Sequence, residues 1–218
     1  MKLILASSSP RRREILGNLG LFPEIIVPDT DEREGCDRNV LTPEELVMGL
    51  ASRKARAVHK LLCDANRGTE DCILLAADTV VALNGLILEK PKDTEDAYRM
   101  LRRLSGCTHD VFTGVALMHG NHLTVDAERT AVTFRSLTKE EINTYIATGD
   151  PMGKAGAYGI QGPGALLVEG VSGDFFNVVG LPVWRVDALM RHAFGIGLMN
   201  LVMEQGEGDF LQHEKYRH

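Results

Sequence analysis

The sequence has little of what membrane, secreted and nucleic-acid-binding proteins need. No stretch approaches the roughly 18 consecutive apolar residues of a membrane-spanning helix, and residues 1–10 contain neither an apolar signal core nor a cleavage site. The four cysteines form no C-x-x-C pair, which argues against a zinc site and a disulfide framework. A net charge of −6 argues against general nucleic-acid binding, which depends on Lys and Arg. These absences predict a cytoplasmic protein that binds neither membranes nor nucleic acid.

Apolar residues, by contrast, are plentiful enough for a sizeable core, since 44% of the 218 residues are hydrophobic. The length fits one large domain or two small lobes that share a cleft. Helices predicted between strands indicate an α/β domain with helices on both faces of its sheet, and a ligand crevice at strand ends. We predict that the domain covers residues 1–200 and that residues 201–218 form a polar tail, frayed from about Glu204.

Local patterns predict the individual strands and helices. Capping boxes begin helices at Thr42 with Glu45 and at Thr138 with Glu141, and the Asn-Gly pair at 84–85 predicts a hairpin. Strands are predicted at 2–6, 24–28, 73–83, 86–89 and on both sides of a turn at 119–122. Helices are predicted at 10–19, 43–62, 94–105, 139–148 and from about 182.

The segment after the first predicted strand concentrates positive charge at a helix N-terminus. Serines 7 to 9 and Pro10 are followed by arginines 11, 12 and 13. Each exposed cation there costs about 0.3 to 1 kcal/mol, because a helix N-terminus carries positive partial charge. A bound polyphosphate would reverse that cost, since backbone N–H groups, serine hydroxyls and arginines all donate toward its oxygens. The alternative is a solvated basic patch.

Two further charged residues interrupt apolar patterns. Lys54 falls within the apolar stripe of the predicted helix 43–62, and Asp78 interrupts the predicted strand 73–83. A buried carboxylate needs a metal, a cation or a proton, and a lysine in a cleft directs its ammonium at a phosphate. The alternatives are a lysine that extends past the core edge to solvent and an aspartate that hydrogen-bonds a turn.

Two loop residues are candidates for metal and base recognition. Glu32 lies in an acidic loop and offers a second hard oxygen ligand for Mg²⁺ or Mn²⁺ beside Asp78, or is simply a solvated charge. Gln161 lies in the glycine-rich segment 154–162. Its carboxamide presents one donor and one acceptor side by side, which matches N3–H and O4 of uracil or thymine. The alternative is a loop amide that bonds its own backbone.

Seven segments, in order, resemble the Maf family of nucleoside triphosphate pyrophosphatases over Leu3 to Met190. They are LASSSPRR (5–12), ADT (77–79), LEKP (88–91), LSG (104–106), VFTGV (111–115), KAGAYGIQG (154–162) and NVVGLP (177–182). The resemblance implies a twisted sheet with helices on both sides, a cleft between two lobes and usually a homodimer. The sequence departs from the family where Ala76 or Ala77 replaces a more frequent glycine, and in its polar tail.

The resemblance also implies roles for individual residues. Asp78 corresponds to the catalytic carboxylate, and the substrate-selecting positions carry the combination of the dTTP/UTP branch, namely Arg11, Thr79 and Gln161. Further active-site positions are matched by Arg12, Glu32, Lys54 and Lys90. We predict that Lys54 and Lys90 are catalytic together with Asp78, and that Ser8 contacts the substrate.

The resulting hypothesis is metal-assisted hydrolysis of a nucleoside triphosphate. The basic residues clamp the triphosphate, while a metal held by Asp78 and Glu32 neutralises developing charge. Water attacks the α-phosphorus and releases pyrophosphate and a nucleoside monophosphate, with Asp78 as base or as ligand. The rival hypotheses are a non-catalytic nucleotide sensor or cell-division regulator, and a pyrophosphatase for other or modified nucleotides.

Overall fold

A computed structural model describes residues 1–28 and 41–209, with side chains through 205. Its strands are β1 (Lys2–Ala6), β2 (Glu24–Ile25), β3 (Cys72–Leu83), β4 (Leu86–Leu88), β5 (Thr108–His119), β6 (His122–Phe134) and β7 (Val168–Ser172). Its α-helices are α1 (Pro10–Asn18), α2 (Pro43–Asp64), α3 (Thr94–Leu104), α4 (Lys139–Ala147), α5 (Phe175–Val179), α6 (Val183–Phe194) and α7 (Leu198–Asp209). Two short 3-10 turns cover Ala155–Ala157 and Gly162–Leu167.

The strands form one mixed sheet in the order β2-β1-β3-β5-β6-β7, and β4 pairs with β3 beside this path. β1 runs parallel to β2 and β3, whereas the other pairs are antiparallel. Successive side chains of a strand point to opposite faces, so residues 3 and 5 of β1 enter one core and residues 4 and 6 enter another. The first core contains α1, α3, α4, α6 and α7, and the second contains α2. The predicted α/β fold with helices on both faces is confirmed.

The local signals that predicted the elements are present as hydrogen bonds. Both capping boxes are formed, at Thr42 with Glu45 and at Thr138 with Glu141. The hairpin between β3 and β4 turns at residues 84 and 85, which have φ angles of +51° and +80°. These left-handed values suit the Asn-Gly pair.

A close backbone contact sets α2 against the sheet. A Cβ atom on Gly114 of β5 would lie 2.3 Å from the backbone carbonyl carbon and oxygen of Val47. Only glycine therefore allows this approach. Because α2 also carries Lys54, the contact fixes how far that lysine reaches across the sheet.

The structure differs from the predictions at several elements. β7 was not predicted, and the single helix predicted from about 182 is divided into α6 and α7. The predicted strand 24–28 is wrong beyond Ile25, because β1 ends at Ala6 and offers no partner to residues 27 and 28. α5 was not predicted, although the Asp174 side chain caps it by accepting from two backbone N–H groups. α7 crosses position 201 and continues past Glu204, where we predicted fraying; the Met1 ammonium contacts the Glu204 carboxylate at 2.5 Å.

None of the helices that the structure describes combines the length and the apolar character that crossing a membrane requires.

Candidate active site

A cleft of about 560 Å³ lies at the edge of the sheet where β1 ends. Ala6 pairs with Ala76 of β3, so the segment after β1 and the residues after Ala76 reach the same edge. The cleft is lined by every predicted site residue that the structure describes, namely Ser8, Arg11, Arg12, Lys54, Asp78, Thr79, Lys90 and Gln161. Glu32 lies outside the described residues, so its predicted metal-binding role stays a prediction.

A charge pair occupies the wall of the cleft. Lys54 Nζ on α2 lies 2.5 Å from Asp78 Oδ1 on β3, and the two side chains are only 11% and 12% exposed. An unpaired carboxylate at such a depth is costly. Lys54 is thus a cation in direct contact with Asp78, and its side chain ends in the cleft and not in solvent.

Arg12 joins three distant parts of the chain behind the cleft. Its buried guanidinium donates from Nε to the Gly180 carbonyl at 2.8 Å, from Nη1 to Ser7 Oγ at 3.0 Å and from Nη2 to Thr79 Oγ1 at 3.0 Å. Three donors of this predicted phosphate ligand are therefore committed to protein oxygens. These bonds hold Arg12 at the cleft wall and fix the position of Thr79 beside it.

The other predicted substrate contacts lie at the mouth of the cleft and differ in solvent exposure. Ser8, Lys90 and Gln161 are exposed, and Arg11 is half-buried. Ser9 is the N-cap of α1, but its side chain makes no capping hydrogen bond within the described residues. An N-terminus without a side-chain cap beside basic side chains favours an anion.

A hydrogen-bonded cluster that the sequence did not reveal lies beside Gln161. Lys154 Nζ contacts Asp150 Oδ1 at 2.6 Å, and the Tyr145 hydroxyl donates to Asp150 Oδ2 at 2.5 Å. Burial alone would raise the pKa of Asp150, but the bonds from Lys154 and Tyr145 outweigh it and lower that pKa. Burial and the bond to Asp150 raise the pKa of Tyr145. The charge of Arg11 contributes to the lowered pKa of Asp150 and partly offsets the raised pKa of Tyr145, which places this arginine near the cluster.

This cluster supports the backbone next to Gln161. The Gly159 N–H donates to the Tyr145 hydroxyl oxygen at 3.2 Å. On the other side, a Cβ on Gly164 would lie 2.0 Å from the Gly159 carbonyl oxygen. Residues 159–161, which we call the base-reading segment after the role predicted for Gln161, are thereby held between α4 and the turn that follows.

A buried histidine anchors the residue just before the base-reading segment. His109 on β5 is 2% exposed, and its Nε2 lies 2.8 Å from the Tyr158 hydroxyl oxygen. Burial lowers the pKa of His109 to about 4. The ring is therefore neutral at physiological pH. Its Nδ1 has no hydrogen-bond partner in the part of the chain that the structure describes.

Comparison with known proteins identifies the family. The model of the Maf-like protein family matches residues 2–193. The chain belongs to this family. Three relatives named dTTP/UTP pyrophosphatase are similar to this Maf-family chain over nearly their whole length. That of Moorella thermoacetica is 48% identical over 206 residues, 92% of this chain and 99% of its own. Those of Pelotomaculum thermopropionicum and Bacillus cytotoxicus are 46% and 47% identical, over 89% and 85% of this chain and 98% and 92% of their own.

Sequence reasoning found the Maf-family residues that interrupt an apolar pattern and missed those that support them. Lys54 and Asp78 stood out because each is a charge where an apolar residue is expected. Tyr145 and His109 fit ordinary strand and helix patterns, so no local signal marked them. Asp150 and Lys154 are four residues apart, but they lie in the turn after α4 and not on a helix, so their spacing gave no signal for the ion pair that they form.

Proposed function

We propose that this protein is a nucleoside triphosphate pyrophosphatase that hydrolyses dTTP and UTP to the nucleoside monophosphate and pyrophosphate. The family and the names of the relatives support this activity. The observation that carries the proposal is the cleft itself, in which the Lys54–Asp78 pair and the basic residues Arg11 and Lys90 line one hollow of about 560 Å³. Side chains from distant parts of the chain therefore surround a volume suited to a nucleotide.

The charges of the cleft suggest a division of roles. Arg11 and Lys90 line the cleft and, with Lys54, offset the negative charge of the triphosphate. Asp78 is the carboxylate that these cations surround, and Lys54 contacts it directly. As a general base, Asp78 takes a proton from the water that attacks the α-phosphorus, and pyrophosphate leaves.

The described residues also fit a divalent cation bound together with substrate. They contain no group of three or more His, Cys, Asp or Glu side chains that could hold a metal unaided. Mg²⁺ is usually bound by one or two carboxylates plus substrate phosphates, and Asp78 offers one carboxylate in the cleft. Asp78 would therefore hold the cation, with Glu32 as the proposed second ligand. A cation there supplies charge neutralisation at the phosphates.

Replacing Asp78 with asparagine tests the catalytic assignment. The variant keeps the size of the side chain but removes its negative charge, so turnover of dTTP should fall by about 10²- to 10⁴-fold while nucleotide binding largely survives. Product chromatography with Mg²⁺ or Mn²⁺ measures turnover, and calorimetry measures binding. Asp64→Asn, an exposed aspartate on α2, is the matched control and should leave turnover unchanged. Substantial activity in Asp78→Asn would refute the assignment.

The same measurements separate the proposed enzyme from its rivals. A nucleotide sensor binds dTTP or UTP without forming a monophosphate, and a pyrophosphatase for modified nucleotides prefers other members of a substrate panel. Replacing Gln161 with glutamate removes its N–H donor. The preference for dTTP and UTP should then be lost, and an unaltered preference would contradict a base-reading role for Gln161.

We also propose that the protein forms a homodimer, as the family resemblance implies. Large apolar side chains at Phe175, Phe176 and Trp184 are exposed in the single chain, by 45%, 43% and 66%. Exposed apolar surface of this kind marks candidate interfaces. Sedimentation velocity should give the mass of two chains, and a single-chain mass at micromolar concentration would contradict the proposal.

A further inference from the structure

The hydroxyl group of Thr79 is held by two neighbours at the wall of the cleft. Its Oγ1 lies 3.0 Å from Arg12 Nη2 and 2.9 Å from Thr113 Oγ1. Thr113 is fully buried, and its own hydroxyl donates to the backbone carbonyl of Asn177 over 3.0 Å. The bonds form a continuous chain from Arg12 to Asn177, in which Arg12 and Thr79 line the cleft and Thr113 lies behind them.

The directions of these bonds follow from the inventory of donors and acceptors. A threonine hydroxyl has one hydrogen to donate and two lone pairs that accept. A carbonyl only accepts, so Thr113 gives its single hydrogen to Asn177 and must accept the hydrogen of Thr79. A guanidinium only donates, so Arg12 uses one lone pair of Thr79. What remains of the Thr79 hydroxyl for a ligand is one lone pair and no hydrogen.

We propose that Thr113 fixes the Thr79 hydroxyl as a hydrogen-bond acceptor and that this fixed polarity selects uracil and thymine over cytosine. The N3 atom of uracil and thymine carries one hydrogen, which the lone pair of Thr79 and the carboxamide oxygen of Gln161 accept together in a three-centre bond. The N3 atom of cytosine carries a lone pair, which the lone pair of Thr79 repels. This proposal rests on the proposed function, because it describes how the same cleft chooses its substrate.

Gln161 does not achieve this discrimination by itself. Its exposed carboxamide presents a donor and an acceptor, and turning the group by half a revolution exchanges them. One orientation matches N3–H and O4 of uracil, and the other matches N3 and the amino group of cytosine. Selection therefore requires a second group whose polarity cannot be reversed. The hydroxyl of Thr79 is such a group, because Thr113 and Arg12 hold it from two sides.

The cleft leaves room for a ligand beside this hydroxyl. A Cβ on Gly180 would lie 3.5 Å from Thr79 Oγ1, and Gly180 has none. Its φ angle of +123° also disfavours any residue with a side chain. Thr113 lies behind Thr79 and is fully buried. It is thus a positioning residue that acts on the substrate through Thr79.

Replacing Thr113 with valine tests the proposal. Valine has nearly the same shape but accepts no hydrogen bond, so the hydrogen of Thr79 is released and can turn toward a cytosine N3. We expect the ratio of kcat/KM for UTP to that for CTP to fall by about tenfold, largely because kcat/KM for CTP rises. The ratio for dTTP to dCTP should fall in the same way. Thr113→Ser keeps the hydroxyl and should retain the wild-type ratio. Thr113→Ala also removes the acceptor and replaces Thr113→Val in this test if the valine variant does not fold.

A matched control lies on the same strand. Thr108 of β5 makes a similar hydroxyl pair with Thr133 at 2.8 Å, but it is exposed and does not line the cleft. Thr108→Val should leave the nucleotide preference unchanged. An unchanged UTP to CTP ratio in Thr113→Val and Thr113→Ala, or an equal loss of both activities, would overturn the role of Thr113. Failure of the wild-type protein to form UMP and pyrophosphate from UTP would instead refute the proposed function.

Discussion

Replacing Lys54 with methionine measures what the charge pair of the cleft contributes to stability. Methionine preserves much of the apolar stem and removes the ammonium, so Asp78 is left without the partner at 2.5 Å. Removing one member of a buried ion pair costs about 3 to 5 kcal/mol. Because the two side chains retain 11% and 12% exposure, we expect the lower end, about 3 kcal/mol. For a chain of this size that loss lowers the melting temperature by about 6 to 12 °C.

The assay is urea unfolding, without nucleotide or divalent metal, of the two single variants and the double variant Lys54→Met/Asp78→Asn. Removing both charges leaves no uncompensated ion, so the double variant should be more stable than the sum of the two single losses implies. Lys60→Met, an exposed lysine of the same helix, is the control and should change stability by less than about 0.5 kcal/mol. If the two single losses simply add in the double variant, the pair is not coupled and our reasoning is wrong.

Three further predictions follow from burial and backbone contacts. Burial holds the pKa of His109 near 4 and not at its usual 6.5, so between these pH values the unfolded state binds a proton that the folded state does not. The free energy of unfolding should therefore be at its full value above pH 6.5 and fall by about 3 kcal/mol toward pH 4. Gly164→Ala should displace the base-reading segment and sharply reduce dTTP turnover, whereas Gly170→Ala, with open space around its Cβ, should not. Gly114→Ala should force α2 from the sheet and destabilise the fold by more than about 3 kcal/mol, whereas Gly49→Ala should be tolerated.

Each of these has a measurement that can contradict it. Urea titrations between pH 4 and 7 should show a weaker pH dependence in His109→Gln than in wild type, and equal slopes would reject the histidine as the cause. Steady-state kinetics compares the two variants in the 159–170 region. Thermal melting compares the two glycine variants of the α2 contact. Equal behaviour within either pair would show that the predicted backbone clash is absent.

Local chemistry predicted the elements of the fold where a few neighbouring residues decide them. The capping box at Thr42 and the Asn-Gly turn at 84–85 act within four residues, so the sequence contains their whole explanation. The end of β2 depends instead on where β1 ends, a property of a different segment. Tertiary pairing therefore set the boundary that the local pattern of residues 24–28 overestimated.

The candidate site likewise has features that the local sequence predicts and features that depend on the tertiary structure. Lys54 and Asp78 were each recognisable as misplaced charges, but their contact joins a helix to a strand 24 residues away. No spacing rule connects residues across such a distance. The sequence gives even less indication that the Thr79 hydroxyl is an acceptor. That property depends on the buried Thr113, which donates its hydrogen to a carbonyl of α5. The chemistry of a side chain can be recognised from the local sequence, whereas its interaction partners are determined by the tertiary structure.

The hydrogen bond between Arg12 and Gly180 has a consequence for folding during translation. Its partner carbonyl at Gly180 is 168 residues further along, so a ribosome has synthesised all the residues between them before that bond can form. Until then, the guanidinium lacks this anchor, and the wall of the cleft that Gly180 contributes does not exist. A nascent chain that ends before residue 180 therefore cannot present a finished nucleotide pocket, and the capacity to bind substrate arises only after that residue has been synthesised.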